Sequence, residues 1–313
     1  MQNHDHIPVL INEVLEVLQP EDNKIYVDCT FGAGGYSKKI LDAANCNVIG
    51  IDRDPDARKY ASEIELKYKG RFKFYNKKFS ELNEVLEESN IKEIDALILD
   101  LGISSMQVDL GERGFSFSKD AKLDMRMSKD GISAYDFVNN EKEEKIAEVL
   151  FKFGDEKFSR KIARKIVFLR QDKPIETTFE LAEIIRSVMP AKFRGHRTDP
   201  ATKSFQAIRI WVNDELQELS AILDLSLSLL KIGGKIIVVT FHSTEDRIVK
   251  SFFNNNAKAA PVISRYLPDP IDKKLLILEL INRKVIIPEE SEVKDNVRSR
   301  SAKLRAAIKI REG

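Results

Sequence analysis

Apolar positions in the first hundred residues follow two alternating patterns. Short apolar runs at 25–27, 48–51, 71–75 and 94–99 have the length and composition of buried β-strands. Between them lie stretches in which apolar residues recur every three or four positions, as on one face of a helix. These helical stretches are 7–18, a run that follows a glycine-rich turn at 32–35, 55–69 and 80–90. The alternation predicts an α/β domain built on a parallel sheet.

The alternation of strands and helices then stops for about a hundred residues, which is much longer than an ordinary connection. Within the interruption the apolar spacing is helical throughout, for example at Ile146, Val149, Leu150 and Phe153. The strand–helix pattern resumes with a helix at 214–231, a strand at 235–241 and a helix at 243–253. We therefore predict a sheet domain in two parts, with an inserted helical subdomain between them. The predicted bounds are 1–107 and 211–313 for the sheet domain and 108–210 for the insert.

Two further apolar segments lie near the C-terminus, at 275–281 and 302–310. The second alternates with a period of two, which is typical of a strand. Because both follow the last predicted sheet strand, we expect them to form a hairpin at the edge of the sheet.

The ends of three predicted strands carry carboxylates, at Asp28, Asp52 and Asp100. Ligands of open α/β sheets bind outside the carboxyl ends of the strands, where these residues fall. Repeated acids at one edge concentrate like charge, which is unfavourable unless a ligand or partner compensates. The glycines of the turn at 32–35 permit a sharp bend and a close approach of the backbone to a ligand.

The spacing of this turn does not match two common nucleotide-binding motifs. A dinucleotide fingerprint has a third spaced glycine where this chain has Ser37, and a P-loop has Lys followed by Ser or Thr, unlike Tyr36-Ser37. An acid at Asp28 would repel a pyrophosphate, whereas it suits an amino group, and Asp52 is placed to accept hydrogen bonds from ribose hydroxyls. This pattern favours S-adenosylmethionine, a cationic ligand without phosphates. The alternative is a glycine turn that only joins a strand to a helix.

Composition narrows the class of protein. The chain has 313 residues, 42% of them hydrophobic, and a net charge of +1. A nucleic-acid surface would therefore be a local patch. The two cysteines, Cys29 and Cys46, lack metal-type spacing and fit a reducing compartment. The first residues show no signal peptide, and no apolar run reaches membrane-spanning length. We expect a soluble cytoplasmic protein without a bound metal.

Positive charge is concentrated in one part of the insert. Between 157 and 209 the chain has thirteen Lys or Arg and five Asp or Glu. This imbalance favours contact with a phosphate backbone, with Arg160, Arg164, Arg194, Arg197 and Lys203 as candidates. The alternative is an ordinary solvated helix face.

Three other residues are candidates for chemistry near the strand ends. Phe79 follows the third strand, where its ring would either contact an adenine or pack in the core. Gln107, in the loop after Asp100, could read a base or cofactor edge. His242 follows the fifth strand and could bind substrate or carry a proton, while Ser243, Glu245 and Asp246 could instead cap the next helix. A Ser-His-Asp hydrolase is excluded because no Gly-x-Ser-x-Gly motif is present.

Several longer motifs occur in a fixed order along the chain. They begin at Asp28 (Asp-x-Thr-Phe-Gly-Ala-Gly-Gly), Asp52 (Asp-Arg-Asp), Asp100 (Asp-Leu-Gly-Ile-Ser-Ser), Glu112 (Glu-Arg-Gly-Phe-Ser-Phe), Leu123 (Leu-Asp-Met-Arg-Met), Asp199 (Asp-Pro-Ala-Thr-Lys-Ser-Phe-Gln-Ala-Ile-Arg-Ile), Phe241 (Phe-His-Ser-Thr-Glu-Asp-Arg) and Arg298 (Arg-Ser-Arg-Ser-Ala-Lys-Leu-Arg). From about His6 to the C-terminus the sequence resembles the bacterial small-subunit rRNA cytosine-N4 methyltransferase family, RsmH, also called MraW.

The resemblance implies a class I S-adenosylmethionine-dependent methyltransferase fold, with a Rossmann-like seven-stranded sheet and a helical insert. It implies methyl transfer to N4 of a cytosine in the decoding centre (P site) of 16S rRNA. The cofactor residues of the family would fall on Gly34, Gly35, Tyr36, Asp52, Phe79, Asp100 and Gln107. Asp100 and His242 are the candidates for a catalytic role, although the family motifs point to no established base.

The chain departs from the family pattern at three positions. Tyr36 stands where the family often has His, Lys203 where it usually has Arg, and Val297 where Pro usually precedes Arg298. The first change affects one side chain near the cofactor. The other two changes affect either the contacts of the basic tail, which includes Arg298 and Arg300, or the contacts with RNA.

The resemblance implies small-subunit rRNA as the substrate, free or in an assembled subunit. We also expect that the protein could form a homodimer. Three other functions stay open at the level of sequence. They are a methyltransferase of the same fold acting on another nucleic acid or on protein, an RNA-binding assembly factor without catalysis, and a nicotinamide-dependent oxidoreductase, which Asp28 and Ser37 disfavour.

Overall fold

The computed structural model describes residues 8–109, 111–190, 199–257 and 276–312. The chain divides into two compact units. The first unit is formed by 1–102 and 216–313, and the second by 103–215. The helical insert that we predicted at 108–210 falls inside the second unit, whose bounds lie five residues farther out at each end (103 against 108, 215 against 210).

The first unit is built on a seven-stranded mixed sheet, which confirms the predicted α/β fold. Its strands are β1 (Ile25–Asp28), β2 (Asn47–Ile51), β3 (Phe72–Tyr75), β4 (Ile94–Asp100), β5 (Leu230–Thr240), β6 (Leu278–Leu280) and β7 (Lys303–Lys309). Their spatial order is β3-β2-β1-β4-β5-β7-β6. Strands β1 to β5 run parallel to one another, and β7 is antiparallel to both β5 and β6.

The helices of the first unit cover the sheet. They are α1 (Ile11–Leu18), α2 (Gly35–Ala43), α3 (Arg58–Lys67), α4 (Leu82–Glu88), α11 (Glu215–Leu229), α12 (Ser243–Ala257) and α13 (Glu290–Asp295), where α11 begins at the last residue of the second unit. Strand β4 is apolar along almost its whole length because helices exclude water from both of its faces. Its residues Leu97 and Leu99 are fully buried in a core with Val85, Leu223 and Val238.

Two elements of the first unit differ from the sequence-based prediction. Strand β5 begins at Leu230 instead of Lys235, because Leu230 already pairs with Ile94 before a register shift. The two tail strands pair antiparallel at the sheet edge as predicted. Their connection is not a tight turn, however, since it contains α13 and a short 3₁₀ helix at Val297–Ser301.

The second unit consists of helices around a separate apolar core. They are α5 (Ser105–Asp109), α6 (Ala134–Asn140), α7 (Glu143–Gly154), α8 (Ser159–Leu169), α9 (Thr178–Val188) and α10 (Ala201–Val212). Two of them begin with a capping box, Ser133 with Asp136 for α6 and Thr177 with Glu180 for α9. Buried Phe137, Ile146 and Ile166 belong to the core of this unit. In the described part of the chain, no helix is long and apolar enough to cross a membrane.

Candidate functional site

The predicted acidic strand ends meet at the carboxyl edge of the sheet. Asp28 lies at the end of β1, opposite Gly50 of β2 and Ile98 of β4. The hydroxyl of Thr30 accepts a hydrogen bond from the backbone N–H of Asp100 at 2.7 Å. The backbone N–H of Gly32 donates to Asp52 Oδ2 at 2.7 Å. The turn after β1 is thus bonded directly to the ends of β2 and β4.

Two glycines of this turn are packed against protein side chains, whereas we predicted that they would leave space for a ligand. Gly34 has a φ of +77°, and an added Cβ would lie 2.4 Å from Ile64 Cδ1. At Gly35 an added Cβ would lie 2.2 Å from Pro8 Cγ. The space that we expected to be left for a ligand is therefore filled by protein atoms at both positions. A ligand can still meet the backbone N–H groups at the start of α2.

Asp28 is fully buried and bonded within the turn. Its Oδ2 accepts the Ser37 hydroxyl at 2.7 Å, and its Oδ1 accepts the Thr30 N–H at 3.4 Å. Burial raises the pKa of Asp28 to about 6, although the hydrogen bonds from Ser37 and Thr30 oppose the shift. These hydrogen bonds therefore do not favour our interpretation of Asp28 as a partner of a ligand amino group. Its contacts indicate that it holds the turn in shape.

Asp52 is partly buried just after β2. Each oxygen accepts one backbone N–H, from Gly32 at 2.7 Å and from Asp54 at 2.8 Å. Burial raises the pKa of Asp52 to about 6, and the charges of Asp54 and Asp28 act in the same direction. A carboxylate accepts about four hydrogen bonds, so after its contacts with the described residues each oxygen keeps an acceptor position for ribose hydroxyls.

Asp100 carries the clearest mark of a missing partner. Its Oδ1 is buried and has no hydrogen-bond partner among the described residues. Burial, and then the charges of Asp28, Glu245 and Glu292, raise the pKa of Asp100 well above its ordinary value. A buried carboxylate without a partner is unfavourable in an isolated protein. The site therefore fits a ligand that brings a cationic or N–H donor group, as S-adenosylmethionine does.

The aromatic candidates near this edge have different surroundings. The Tyr36 ring is buried and its hydroxyl donates to the Val9 carbonyl, so this side chain ties α2 to the N-terminal segment. Burial raises the pKa of Tyr36 well above its ordinary value. Phe79 lies in a 3₁₀ helix directly after β3 and is partly buried against the core. Its position fits both of the roles left open by the sequence.

His242 caps helix α12. Its Nδ1 accepts the backbone N–H of Glu245 at 3.4 Å, and Glu245 Oε2 accepts the backbone N–H of His242 at 3.2 Å. This reciprocal pair is a capping box with histidine at the N-cap. The predicted cap residue Ser243 is the first residue of the helix, and Asp246 pairs instead with Lys303 and Arg305. The cap gives His242 a structural role through Nδ1, while its buried Nε2, 3.0 Å from Glu245 Oε1, forms no hydrogen bond with a described residue.

Gln107 lies in the second unit, on α5. Its side chain is 4% exposed, and its Oε1 accepts the backbone N–H of Ser104 at 3.1 Å. This contact stabilises the start of α5. The role of Gln107 toward a cofactor stays a prediction.

The predicted RNA-binding residues have three locations. Arg160, Arg164 and Lys203 lie in the second unit with exposed side chains. Arg298 and Arg300 are exposed in the 3₁₀ helix before β7. Arg194 and Arg197 lie outside the described residues.

Other basic residues of the insert have structural contacts that the charge count did not reveal. Arg170 donates to the carbonyls of Val138 and Glu141 at the end of α6, at 2.6 and 2.7 Å. Arg186 pairs with Asp199 at 2.8 Å, and Arg209 with Glu215 at 2.7 Å. These arginines hold the second unit together, so the basic surface is smaller than the sequence indicates.

Three residues of the site were missed by reasoning from the sequence. Thr30 and Ser37 bond Asp100 and Asp28, and Glu292 of α13 accepts the backbone N–H of Leu10 at 2.9 Å. The sequence contained a hint of the role of Ser37, because this residue replaces the glycine of a dinucleotide motif in the turn that follows Asp28. Glu292 carried none, because it is 282 residues from its partner. Within the described residues, no group of three or more His, Cys, Asp or Glu side chains could hold a metal ion.

Comparisons with known proteins agree with these features. The model of the MraW methylase family matches residues 3–310. A Ribosomal RNA small subunit methyltransferase H from Rickettsia massiliae is 50% identical over 309 residues, covering 98% of this chain and 99% of that protein. The protein of the same name from Ehrlichia chaffeensis is 50% identical over 307 residues, covering 97% and 100%.

The chain has a weaker likeness to solved structures, which are much more distant in sequence. An rRNA methylase from Streptococcus thermophilus has a TM-score of 0.44 at 10% identity, covering 98% of this chain and 99% of that one. The N-methyltransferase NodS from Bradyrhizobium japonicum has a TM-score of 0.40 at 8% identity, covering 96% and 94%.

The family match extends over nearly the whole chain and includes the acidic strand ends and the glycine turn. It confirms the resemblance found in the sequence and, with it, the expected cofactor, S-adenosylmethionine. The chain belongs to the MraW methylase family.

Proposed function

We propose that this protein transfers a methyl group from S-adenosylmethionine to N4 of a specific cytosine in the decoding centre of small-subunit rRNA. The curated relatives at 50% identity are named as small-subunit rRNA methyltransferases, which supports the class of substrate. The choice of cytosine N4 rests on the sequence motifs. The observation that carries the enzymatic function is that a buried oxygen of Asp100 has no partner in the described part of the chain, at the edge where the cofactor is expected.

Different residues of the first unit would bind different parts of the cofactor. Asp52 would accept the ribose hydroxyls, and the backbone N–H groups at the start of α2 would face the ligand's polar atoms. Asp100 would accept a hydrogen bond from a cationic or amino group. When bound, S-adenosylmethionine supplies a methyl group on a positively charged sulfur.

The remaining task is to present an exocyclic amine and to remove its proton. An amine held in line with the methyl group needs no prior deprotonation, so positioning and stabilisation of positive charge supply most of the catalysis. Asp100 is the candidate acceptor of this proton. Burial and neighbouring acids raise its pKa and favour its protonated form, so the positive charge of the bound cofactor is needed to ionise it first. The base must leave its stack to reach the sheet edge.

Methyl transfer from a labelled donor tests this proposal directly. Purified small subunits from a strain lacking the gene would be incubated with the protein, with free rRNA as the comparison. Nucleoside mass spectrometry is expected to find N4-methylcytosine at one position. A different methylated nucleoside, or none, would contradict the proposal. Location in the cytoplasm and a homodimeric state stay predictions of the sequence.

A further inference from the structure

Helix α8 of the second unit has an exposed face made of cations and one aromatic ring. Arg160, Lys161 and Arg164 are exposed, and the side chain of Phe168 is 60% exposed. The opposite face, with Ile162, Ala163 and Ile166, is fully buried. The helix contains no acidic residue.

The stability of the helix does not explain this arrangement. Arg160 and Lys161 lie in the first turn, where the helix dipole disfavours positive charge. Arg164 lies 3.7 Å from Glu143 and is 79% exposed, so this ion pair contributes little. Helix α9, in the same unit, has the ordinary pattern, with Glu180 in a capping box at its N-terminus.

Phe168 extends the cationic face with an aromatic surface. Positions 161, 164 and 168 lie on one stripe of a helix. The Lys165 ammonium lies 5.7 Å from the centre of the Phe168 ring. From Arg160 to Phe168 the helix rises about 12 Å, which is the length of three or four stacked nucleotides. Cations beside an exposed ring are the groups that bind the phosphates and bases of unpaired nucleotides.

We propose that the exposed face of α8 binds a single-stranded segment of RNA. Arg160, Lys161 and Arg164 contact its phosphates, and an unpaired base stacks on the ring of Phe168. The inference rests on the proposed function for the class of substrate. It adds that the bound segment is single-stranded and that one aromatic residue is a stacking platform.

Fluorescence anisotropy with the full chain tests this inference without the methyl donor. The probes are a labelled RNA of about a dozen nucleotides and the same strand annealed to its complement. Phe168→Ala is expected to lower affinity for the single strand about tenfold, without changing its salt dependence. Affinity for the duplex stays unchanged, because its bases are already stacked. Phe168→Trp restores binding to the single strand.

Phe179→Ala provides the matched control. Phe179 is 43% exposed on α9, but it lies beside Asp120 and Glu180, so its surroundings repel phosphate. This variant is expected to bind both probes like the wild type. Arg160→Gln with Arg164→Gln lowers affinity for both probes and reduces the salt slope by about one to two.

Three results would overturn the inference. They are unchanged single-strand binding in Phe168→Ala, an equal loss in Phe179→Ala, and an equal loss for the duplex. If Phe168→Ala left RNA binding intact but dissociated an oligomer in light scattering, the face would be a protein interface instead. Failure of this inference can be distinguished from failure of the proposed function. If nucleoside mass spectrometry found a product other than N4-methylcytosine, the proposed function would be wrong, but the binding results would still hold.

Discussion

The acidic edge of the sheet and the exposed face of α8 place charge in opposite ways. In the first unit, Asp28, Asp52 and Asp100 bring like charges into a buried edge, where burial raises each pKa. In the second unit, cations occupy the start of an exposed helix against its dipole. Neither arrangement favours folding. Both therefore point to ligands of opposite charge, a small cationic one at the edge and a polyanion on the helix.

The largest expected effect is that of removing the charge of Asp100. Asp100→Asn keeps the shape of the side chain but lacks a carboxylate for the donor group of the cofactor. We expect a loss in cofactor affinity on the order of 100-fold by titration calorimetry. Asp95→Asn, on the same strand but paired with Lys24 and Lys231, is the matched control and should bind normally. Normal binding by Asp100→Asn would refute the assigned partner.

Asp52→Ala is expected to weaken cofactor binding strongly, by roughly tenfold or more, because it removes the acceptor of the ribose hydroxyls. RNA affinity should stay nearly unchanged. Calorimetry with the cofactor and anisotropy with RNA would measure the two effects separately. Equal cofactor affinity in variant and wild type would show that Asp52 does not hold the ribose.

Replacement of Arg160, Arg164 and Arg197 by Gln should affect RNA alone. We expect a loss of affinity of about tenfold at moderate salt and a flatter dependence on salt concentration. Lys39→Gln with Lys69→Gln and Lys92→Gln, three exposed cations of the first unit, is the control for net charge. A salt slope equal to that of the wild type would remove the insert from the RNA surface.

The raised acids predict opposite effects of pH on cofactor binding and on stability. The pKa of an unfolded carboxyl is about 4, whereas burial raises the pKa of Asp28 and of Asp52 to about 6 in the folded protein. Between these values the folded state binds more protons, so the free energy of unfolding falls as pH rises through this window. Cofactor affinity should rise over the same window, because the ribose hydroxyls need the ionised form of Asp52 as their acceptor.

Asp28→Asn isolates the contribution of one acid to this behaviour. The amide oxygen can accept the Thr30 N–H and the amide NH2 can donate to Ser37 Oγ, which reverses that hydrogen bond, but the side chain cannot titrate. We expect denaturant unfolding of the variant to depend less on pH between about 4 and 6, by up to about 3 kcal/mol. An unchanged dependence would mean that Asp28 titrates normally.

The smallest effect is expected at His242. Asn is a good N-cap, so His242→Asn should keep methyl transfer within a few-fold of the wild type, whereas His242→Ala should lose about 1 kcal/mol of stability. Thermal melts and initial rates would measure both. A loss of activity of about 100-fold in His242→Asn, with a normal melting temperature, would make His242 catalytic.

The elements that sequence periodicity predicted best are those with buried apolar faces. Strand β4 and the helices of the insert repeat their apolar residues at the period of the structure, so they could be located from the chain alone. The acidic strand ends could be placed for the same reason, since parallel strands end at one edge. The hydrogen-bond and ion-pair partners of charged side chains were predicted less well. Arg170 and Arg186 looked like surface cations until the structure placed carbonyls and an acid beside them.

The sequence by itself determined the fold class, the order of the strands in the chain, the acidic edge and the family. These follow from local spacing and from motifs that are continuous along the chain. Only the tertiary structure decided that Ser37 bonds Asp28, that His242 caps a helix, that Glu292 meets Leu10, and that α8 keeps its cations exposed. The physical reason is that hydrogen bonds and burial depend on which groups folding brings together, and such partners can be hundreds of residues apart in the chain.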